Sequence, residues 1–303
     1  MRGAKILVTG PTGQVAMPIT LALAADNEVW GAARFRDAES REQLEKVGVR
    51  CASVDLLAGE FASLPDDFDY VLNLAVVRSG RWAKDLAANG ESAGLLMAHC
   101  RSARAFLHCS SAAVYAGGSS ANTEDAPLGD NHRHLMPTYS IAKIAAEVVV
   151  RTMSRHLGVP TVIARLSVPY GDGGGWPAFH LESILAGEAI PVHPGGREVS
   201  VFNPIHEEDI IAHIPRLLEA ATVPATTVNW GGSQAVGLHE WCEYIGELVD
   251  RPVTFVETDD FTILGTQCDP TRMHELIGPT TIDWHDGLRR LVEHRHPEIA
   301  PRP

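Results

Sequence analysis

The chain has 303 residues, 45% of them hydrophobic and 21% charged, the proportions of an ordinary globular protein with room for one large or two modest domains. Its 38 acidic and 25 basic side chains leave a formal charge of −13, which argues against nucleic-acid and anionic-membrane partners, since both need a basic footprint. No apolar stretch approaches a bilayer-spanning length, and MRGAKILVTG runs straight from one short apolar segment into a glycine turn, unlike a secretory signal. Five scattered cysteines (Cys51, Cys100, Cys109, Cys242, Cys268), with no Cys-x-x-Cys pair, read as reduced thiols of a cytoplasmic protein.

In chain order, Lys5 to Thr9 is a β-rich run and residues 14–25 a helix; Glu28 to Ala33 is a second strand and 38–47 a second helix. Val49 to Val54, Tyr70 to Ala75 and Ala105 to Cys109 follow as strands, helices fill 83–102 and 138–157, and Thr161 to Leu166 is a sixth strand. This alternation predicts an α/β fold, a doubly wound parallel Rossmann sheet whose strand carboxyl ends share one edge. After Pro169 the texture changes: Gly171, Gly173, Gly174 and Gly175 precede Trp176 and Pro177 as a loop. The expected organisation is a dinucleotide-binding domain over 1–168, with a segment near 205–232 (Thr227 to Trp230 within it) returning to its sheet. A smaller C-terminal α/β substrate-binding region covers 169–303.

ILVTGPTGQVA places Gly10 and Gly13 between the first strand and the first helix. The first glycine permits a tight turn, the second lets backbone approach a pyrophosphate at the helix amino end, and Ala16 takes the third small position. Thr12, Gln14 and Val15 complete the turn as candidate cofactor contacts. The spacing Thr-Gly-x-x-Gly-x-x-Ala resembles the short-chain dehydrogenase/reductase family. By that resemblance Asp55, with Leu56 beside it, would hold the adenine, and Asn73-Leu74-Ala75 would lie against the cofactor. Read on their own, these are equally a capping Asp and a turn Asn.

Tyr139 and Lys143, four apart on a predicted helix, share one face. Ser111, in HCSSAAVY, lies just past the fifth strand on the edge where such sheets bind ligands. A free phenol titrates near ~10, and a neighbouring ammonium favours its ionised form. Tyr139 would therefore exchange a proton with an alcohol or carbonyl while hydride moves to or from nicotinamide. Lys143 would also hold the nicotinamide ribose, and Ser111 would hydrogen-bond the reacting oxygen.

Further residues extend the resemblance to the extended, epimerase/dehydratase branch: Thr123-Glu124, Glu147, Arg165, Tyr170-Gly171, His206-Glu207-Glu208-Asp209 and Asn229-Trp230-Gly231-Gly232. It implies that Asn89 organises a proton-relay water and that the helices near 84–102 and 138–157 form a homodimer interface. Asn89 reads equally well as an ordinary helix residue.

NAD-specific relatives end the second strand on an acid that binds the ribose 2′-hydroxyl. Here Ala33 stands there, followed by Arg34 and, two residues later, Arg36, which suits a 2′-phosphate. NADP(H) is the expected cofactor, with NAD(H) the alternative. Nucleotide-sugar members carry Asn where this chain has Val168 and often Arg where it has Phe202. Both changes point to a small, mostly uncharged substrate, or else are simple core packing, with Arg197 as a possible substitute anion contact. His132 and His134, in the loop before Tyr139, are near enough to the site to touch substrate but read rather as exposed loop residues, and the scattered histidines predict no metal. The leading expectation is an NAD(P)-dependent oxidoreductase acting on a small carbonyl or alcohol. The alternatives are a nucleotide-sugar epimerase/dehydratase with tightly held NAD and a non-catalytic dinucleotide sensor.

Overall fold

The structure, a computed structural model, describes residues 1–118 and 120–299. In chain order the elements are β1 (Lys5–Thr9), α1 (Ala16–Ala24), β2 (Glu28–Ala33), α2 (Ala38–Lys46), β3 (Arg50–Ser53), β4 (Tyr70–Asn73) and α3 (Trp82–Leu86). A π-helical turn, Ala87–Glu91, then leads into α4 (Ser92–His99), β5 (Ala105–Ser111), α5 (Tyr139–Leu157) and β6 (Thr161–Leu166). The remainder holds β7 (Pro169–Gly171), β8 (Gly174–Gly175), α6 (Trp176–Ala186), β9 (Ile190–Val192), β10 (Val201–Phe202), β11 (Ile205–His206) and α7 (Glu207–Glu219). It ends with β12 (Thr226–Trp230), β13 (Val236–Gly237), α8 (Leu238–Leu248), β14 (Phe255–Glu257), α9 (Thr271–Leu276) and α10 (Trp284–Arg295).

The main sheet has seven strands in the order β12-β6-β5-β4-β1-β2-β3. The pairs β3–β2, β2–β1, β1–β4 and β4–β5 are parallel. This is the doubly wound order, with its switch point between β1 and β4. Its central strands β1, β4, β5 and β6 are almost wholly buried because helices cover both faces of a parallel sheet. Leu7, Val71, Phe106 and Ile163 are fully buried beside Leu96 and Met97 of α4 and Val150 of α5.

The chain divides into two compact units. The first comprises residues 1–111, 141–165 and 213–228, and the second 112–140, 166–212 and 229–303. The second unit has its own core, in which Leu181, Phe202, Trp241, Ile245 and Leu291 are fully buried around Tyr170 and Leu288. Among its strands, β11 pairs with β7 in parallel, β7 with β8 antiparallel, and β9 with β14 in parallel.

The glycine-rich stretch after Pro169, expected as a loop, instead holds β7 and β8, which pair with each other. Among the element boundaries that differ from the sequence expectation, three have a local reason. β4 stops at Asn73 because the amides of Leu74 and Ala75 leave the ladder and donate to the Thr9 hydroxyl, both at 3.1 Å. β5 runs on to Ser111, so this serine is the last strand residue rather than one just past it. The helix expected over 83–102 is broken by the π turn at Asn89, whose side-chain amide competes for helix carbonyls: Nδ2 donates to Asp85 O at 2.7 Å and to Val77 O at 2.9 Å.

Candidate active site

In the first unit, β1 hands over to α1 through Gly10, whose φ of +64° lies in the left-handed region that glycine tolerates. A Cβ there would stand 2.9 Å from the Ala75 Cα, so the ends of β1 and β4 meet with no room for a side chain. Gly13 donates to Gly10 O at 3.0 Å, and Val15 precedes α1 without a side-chain cap for its first amides. Thr12 and Val15 are half-buried, and Gly13 and Gln14 are exposed. An uncapped helix amino end behind a glycine turn is suited to a pyrophosphate, so the residues fit a dinucleotide.

Behind the turn lies a buried polar chain that the sequence reading missed. Thr9 accepts from Leu74 and Ala75 and donates its one hydroxyl proton to Asn73 Oδ1 at 2.8 Å. Asn73 Nδ2 then donates to His108 Nδ1 at 3.1 Å, which leaves the imidazole proton on Nε2. Burial, with help from the Lys143 charge, pushes His108 down to about 3, so it is neutral. The available signal was a threonine closing an otherwise apolar strand.

At the end of β2 Arg34 and Arg36 are exposed, separated by Phe35 at φ +43°. The next carboxylate in the chain, Asp37, is engaged in capping α2, accepting from Glu39 N and Ser40 N. Asp55 is exposed and accepts from Leu57 N at 3.0 Å, whereas Leu56 packs against the first unit's core.

α5 opens with Tyr139 and carries Lys143 one turn later. Lys143 is buried, and its ammonium donates to Cys109 O at 2.7 Å, two residues before Ser111 at the end of β5. One further turn along α5, Glu147 forms a bidentate pair with Arg165 of β6, Nε–Oε1 2.9 Å and Nη2–Oε2 2.8 Å. Both side chains are about 5% exposed or less, and Ser110 Oγ adds a third bond to Glu147 Oε1 at 2.6 Å. The pair ties α5, β5 and β6 together beneath Ser111 and Lys143. Asn89, by contrast, spends its side chain on the backbone: besides its two donations, Oδ1 accepts from Val77 N at 3.0 Å.

In the second unit, the Thr123-Glu124 and Asn229-Trp230 motifs meet. Glu124 accepts from Asn229 N at 2.8 Å, and Asn229 accepts from the Tyr115 hydroxyl at 2.5 Å. Asp209 is buried and accepts from Thr281 N, Thr281 Oγ1 and Ile282 N, a structural role that uses both carboxylate oxygens. Phe202 is fully buried, its ring centroid 5.1 Å from Trp176 and 5.7 Å from Trp241. Val168 has φ +36°, a conformation costly for a β-branched residue, yet it packs on the same apolar cluster.

Two expectations are corrected here. Arg197 is not free for a substrate anion, because its guanidinium is paired with both carboxylate oxygens of Glu243. His134 is exposed, but His132 is only 8% exposed, its ring centroid 6.1 Å from that of Tyr139. Burial drives His132 down to about 4.

A model of the NAD dependent epimerase/dehydratase family matches residues 6–226. The chain belongs to this family. Its resemblance to the extended short-chain dehydrogenase/reductases holds, and the family is one of NAD-dependent enzymes. Among curated family relatives, a trifunctional UDP-glucose 4,6-dehydratase/UDP-4-keto-6-deoxy-D-glucose 3,5-epimerase/UDP-4-keto-L-rhamnose-reductase of Arabidopsis thaliana is 25% identical over 201 residues. That alignment covers 63% of this chain but only 29% of the relative's length. The fold is shared with UDP-glucuronic acid 4-epimerase from Bacillus cereus, in complex with UDP-glucuronic acid and NAD, at TM-score 0.82 and 20% identity over 96% of this chain and 98% of that one. It is shared also with UDP-glucose 4-epimerase from Thermotoga maritima, at TM-score 0.81 and 18% identity over 97% and 99%.

Proposed function

We propose that the chain catalyses reversible hydride transfer between NADP(H) and a small carbonyl or alcohol, with Tyr139 as proton donor and acceptor. The observation that carries this reading is the seating of Lys143 on Cys109 O, next to Ser111 and one helical turn after Tyr139. Gly10, Thr12, Gly13, Gln14 and Val15 would hold the pyrophosphate, Leu74 and Ala75 the cofactor's flank, and Asp55 with Leu56 the adenine. The bound dinucleotide supplies the hydride. In the reductive direction Tyr139 gives its hydroxyl proton to the carbonyl oxygen as that oxygen becomes an alcohol, and solvent returns the proton. Ser111 donates a hydrogen bond to the same oxygen, and Lys143 holds the ribose. Asn89 shapes the π turn, and because its side-chain amide is engaged with Val77 and Asp85, a relay water there would bond its main chain. Exposed Leu95 of α4 and Val148 of α5 suit a homodimer face, and five free cysteines suit the cytoplasm.

Releasing and identifying any dinucleotide from the purified protein, then titrating NADPH and NADH by fluorescence, tests the cofactor. Empty protein that prefers NADPH is the expected result. In Arg34→Ala/Arg36→Ala the NADPH preference should fall at least about tenfold, the loss of ~1.4 kcal/mol of charge-assisted phosphate contact. An unchanged preference would remove both arginines from the reading.

The names of the relatives support a second reading: a nucleotide-sugar epimerase or dehydratase that retains NAD. On substrate identity the relatives favour it over the small-carbonyl reading. Protein purified with bound NAD and indifferent to NADPH would decide for it.

A further inference from the structure

His108 is a costly residue for its place. It stands on β5 between Leu107 and Cys109, 2% exposed, in the buried sheet of the first unit. An imidazole there loses its hydration at both ring nitrogens, and only one is compensated. Nδ1 accepts from Asn73, while Nε2 has no hydrogen-bond partner among the described residues. A leucine would fill the space without that cost. What distinguishes His108 is therefore the acceptor it turns toward Asn73.

Strand register makes that acceptor the end of a row. Thr9 of β1 lies opposite Asn73 of β4, and Asn73 opposite His108 of β5, so the three side chains cross the sheet at its switch point. The row has one proton arrangement. Thr9 Oγ1 accepts from the amides of Leu74 and Ala75, which uses both of its lone pairs, so its own proton goes to Asn73 Oδ1. Asn73 Nδ2 then faces β5 and needs an acceptor, which only the neutral Nε2–H tautomer of His108 offers. Burial, and after it the Lys143 charge, keep a second proton off this ring. With no acceptor on β5 the Asn73 amide is free to turn over. It would then aim Nδ2 at a threonine oxygen already full, and one of the two loop amides would be displaced. Ala75 is the residue so held against the phosphate turn, its Cα 2.9 Å from the place of a Cβ on Gly10.

We propose that His108 is a positioning residue for the dinucleotide: through Asn73 and Thr9 it fixes the start of the loop after β4 against Gly10, and so the shape of the pyrophosphate turn. This rests on the placing of the dinucleotide at that turn, as above. It requires no choice between NAD(H) and NADP(H), and none of substrate.

The test measures NADH and NADPH affinity by fluorescence titration in wild type, His108→Leu and His108→Asn, with urea unfolding of each. His108→Asn keeps an acceptor, because an asparagine Oδ1 stands where the histidine Nδ1 does. The better-bound dinucleotide should bind His108→Leu at least about tenfold more weakly, ~1.4 kcal/mol, and His108→Asn within about threefold of wild type. A merely structural His108 would lower the unfolding midpoint of His108→Leu and leave its dinucleotide affinity unchanged, which would overturn the proposal. Equal losses in the two variants would overturn it as well, since the acceptor would then not be what matters. Should His108→Leu fail to fold, a loss of about tenfold in His108→Asn is the overturning result. Nitrogen NMR of histidine-labelled wild type, its His108 signal assigned by absence from His108→Asn, should show the Nε2–H tautomer at neutral pH. The Nδ1–H tautomer or a charged ring there would also sink the idea. Wild type that binds neither dinucleotide would instead overturn the reading of the phosphate turn, leaving His108 nothing to position.

Discussion

Tyr139→Phe should lower turnover by about 10²–10⁴-fold, the usual worth of a positioned general acid or base, while dinucleotide affinity changes little. The variant removes one hydroxyl at the head of α5 and leaves the ring, so packing against His132 persists. On the barrier this amounts to about 3–5 kcal/mol. Lys143 and its bond to Cys109 belong to the next turn and survive the change. Steady-state turnover and fluorescence titration of NADPH, run on one preparation, separate the two effects. Undiminished turnover would take Tyr139 out of the mechanism, and lost NADPH binding would make the residue structural.

Arg165→Met should be the most damaging single change to stability. It strands the Glu147 carboxylate, about 5% exposed, with only the Ser110 hydroxyl to replace a bidentate guanidinium. Removing one partner of a buried pair costs about 3–5 kcal/mol, because the other charge is left in a low dielectric. Glu147→Gln/Arg165→Met removes both charges and should recover much of that loss. The check is the urea unfolding midpoint of the three proteins: a large fall for the single variant and a smaller one for the double. A midpoint unmoved in Arg165→Met would show that this pair does not hold α5, β5 and β6 together.

The strands and the phosphate turn were legible because their signals are local. Lys5 to Thr9 is a short apolar run closed by Gly10, and a glycine at φ +64° is what a strand-to-helix turn needs whatever surrounds it. The Tyr139–Lys143 spacing was equally local, since helical period alone puts the two on one face. What escaped depended on partners distant in sequence. His132 looks like a loop histidine until Asn131 is tied to Leu264, 133 positions away. Arg197 looks available until Glu243, 46 positions on, takes both ends of its guanidinium. The π turn at Asn89 hides for the same reason: helix periodicity runs through it, and only the reach of its amide to Val77 reveals the break.

The first unit is not one stretch of chain. Its sheet ends in β12, and residues 213–228 belong to it although the second unit's first two segments precede them in the sequence. During synthesis the first unit therefore waits for its last strand until residue 228 has left the ribosome. Until then β6 presents an open edge, with unpaired backbone amides and carbonyls available to any strand that passes. The interleaving makes the two units one folding transaction, so that neither can be trimmed away to leave the other whole.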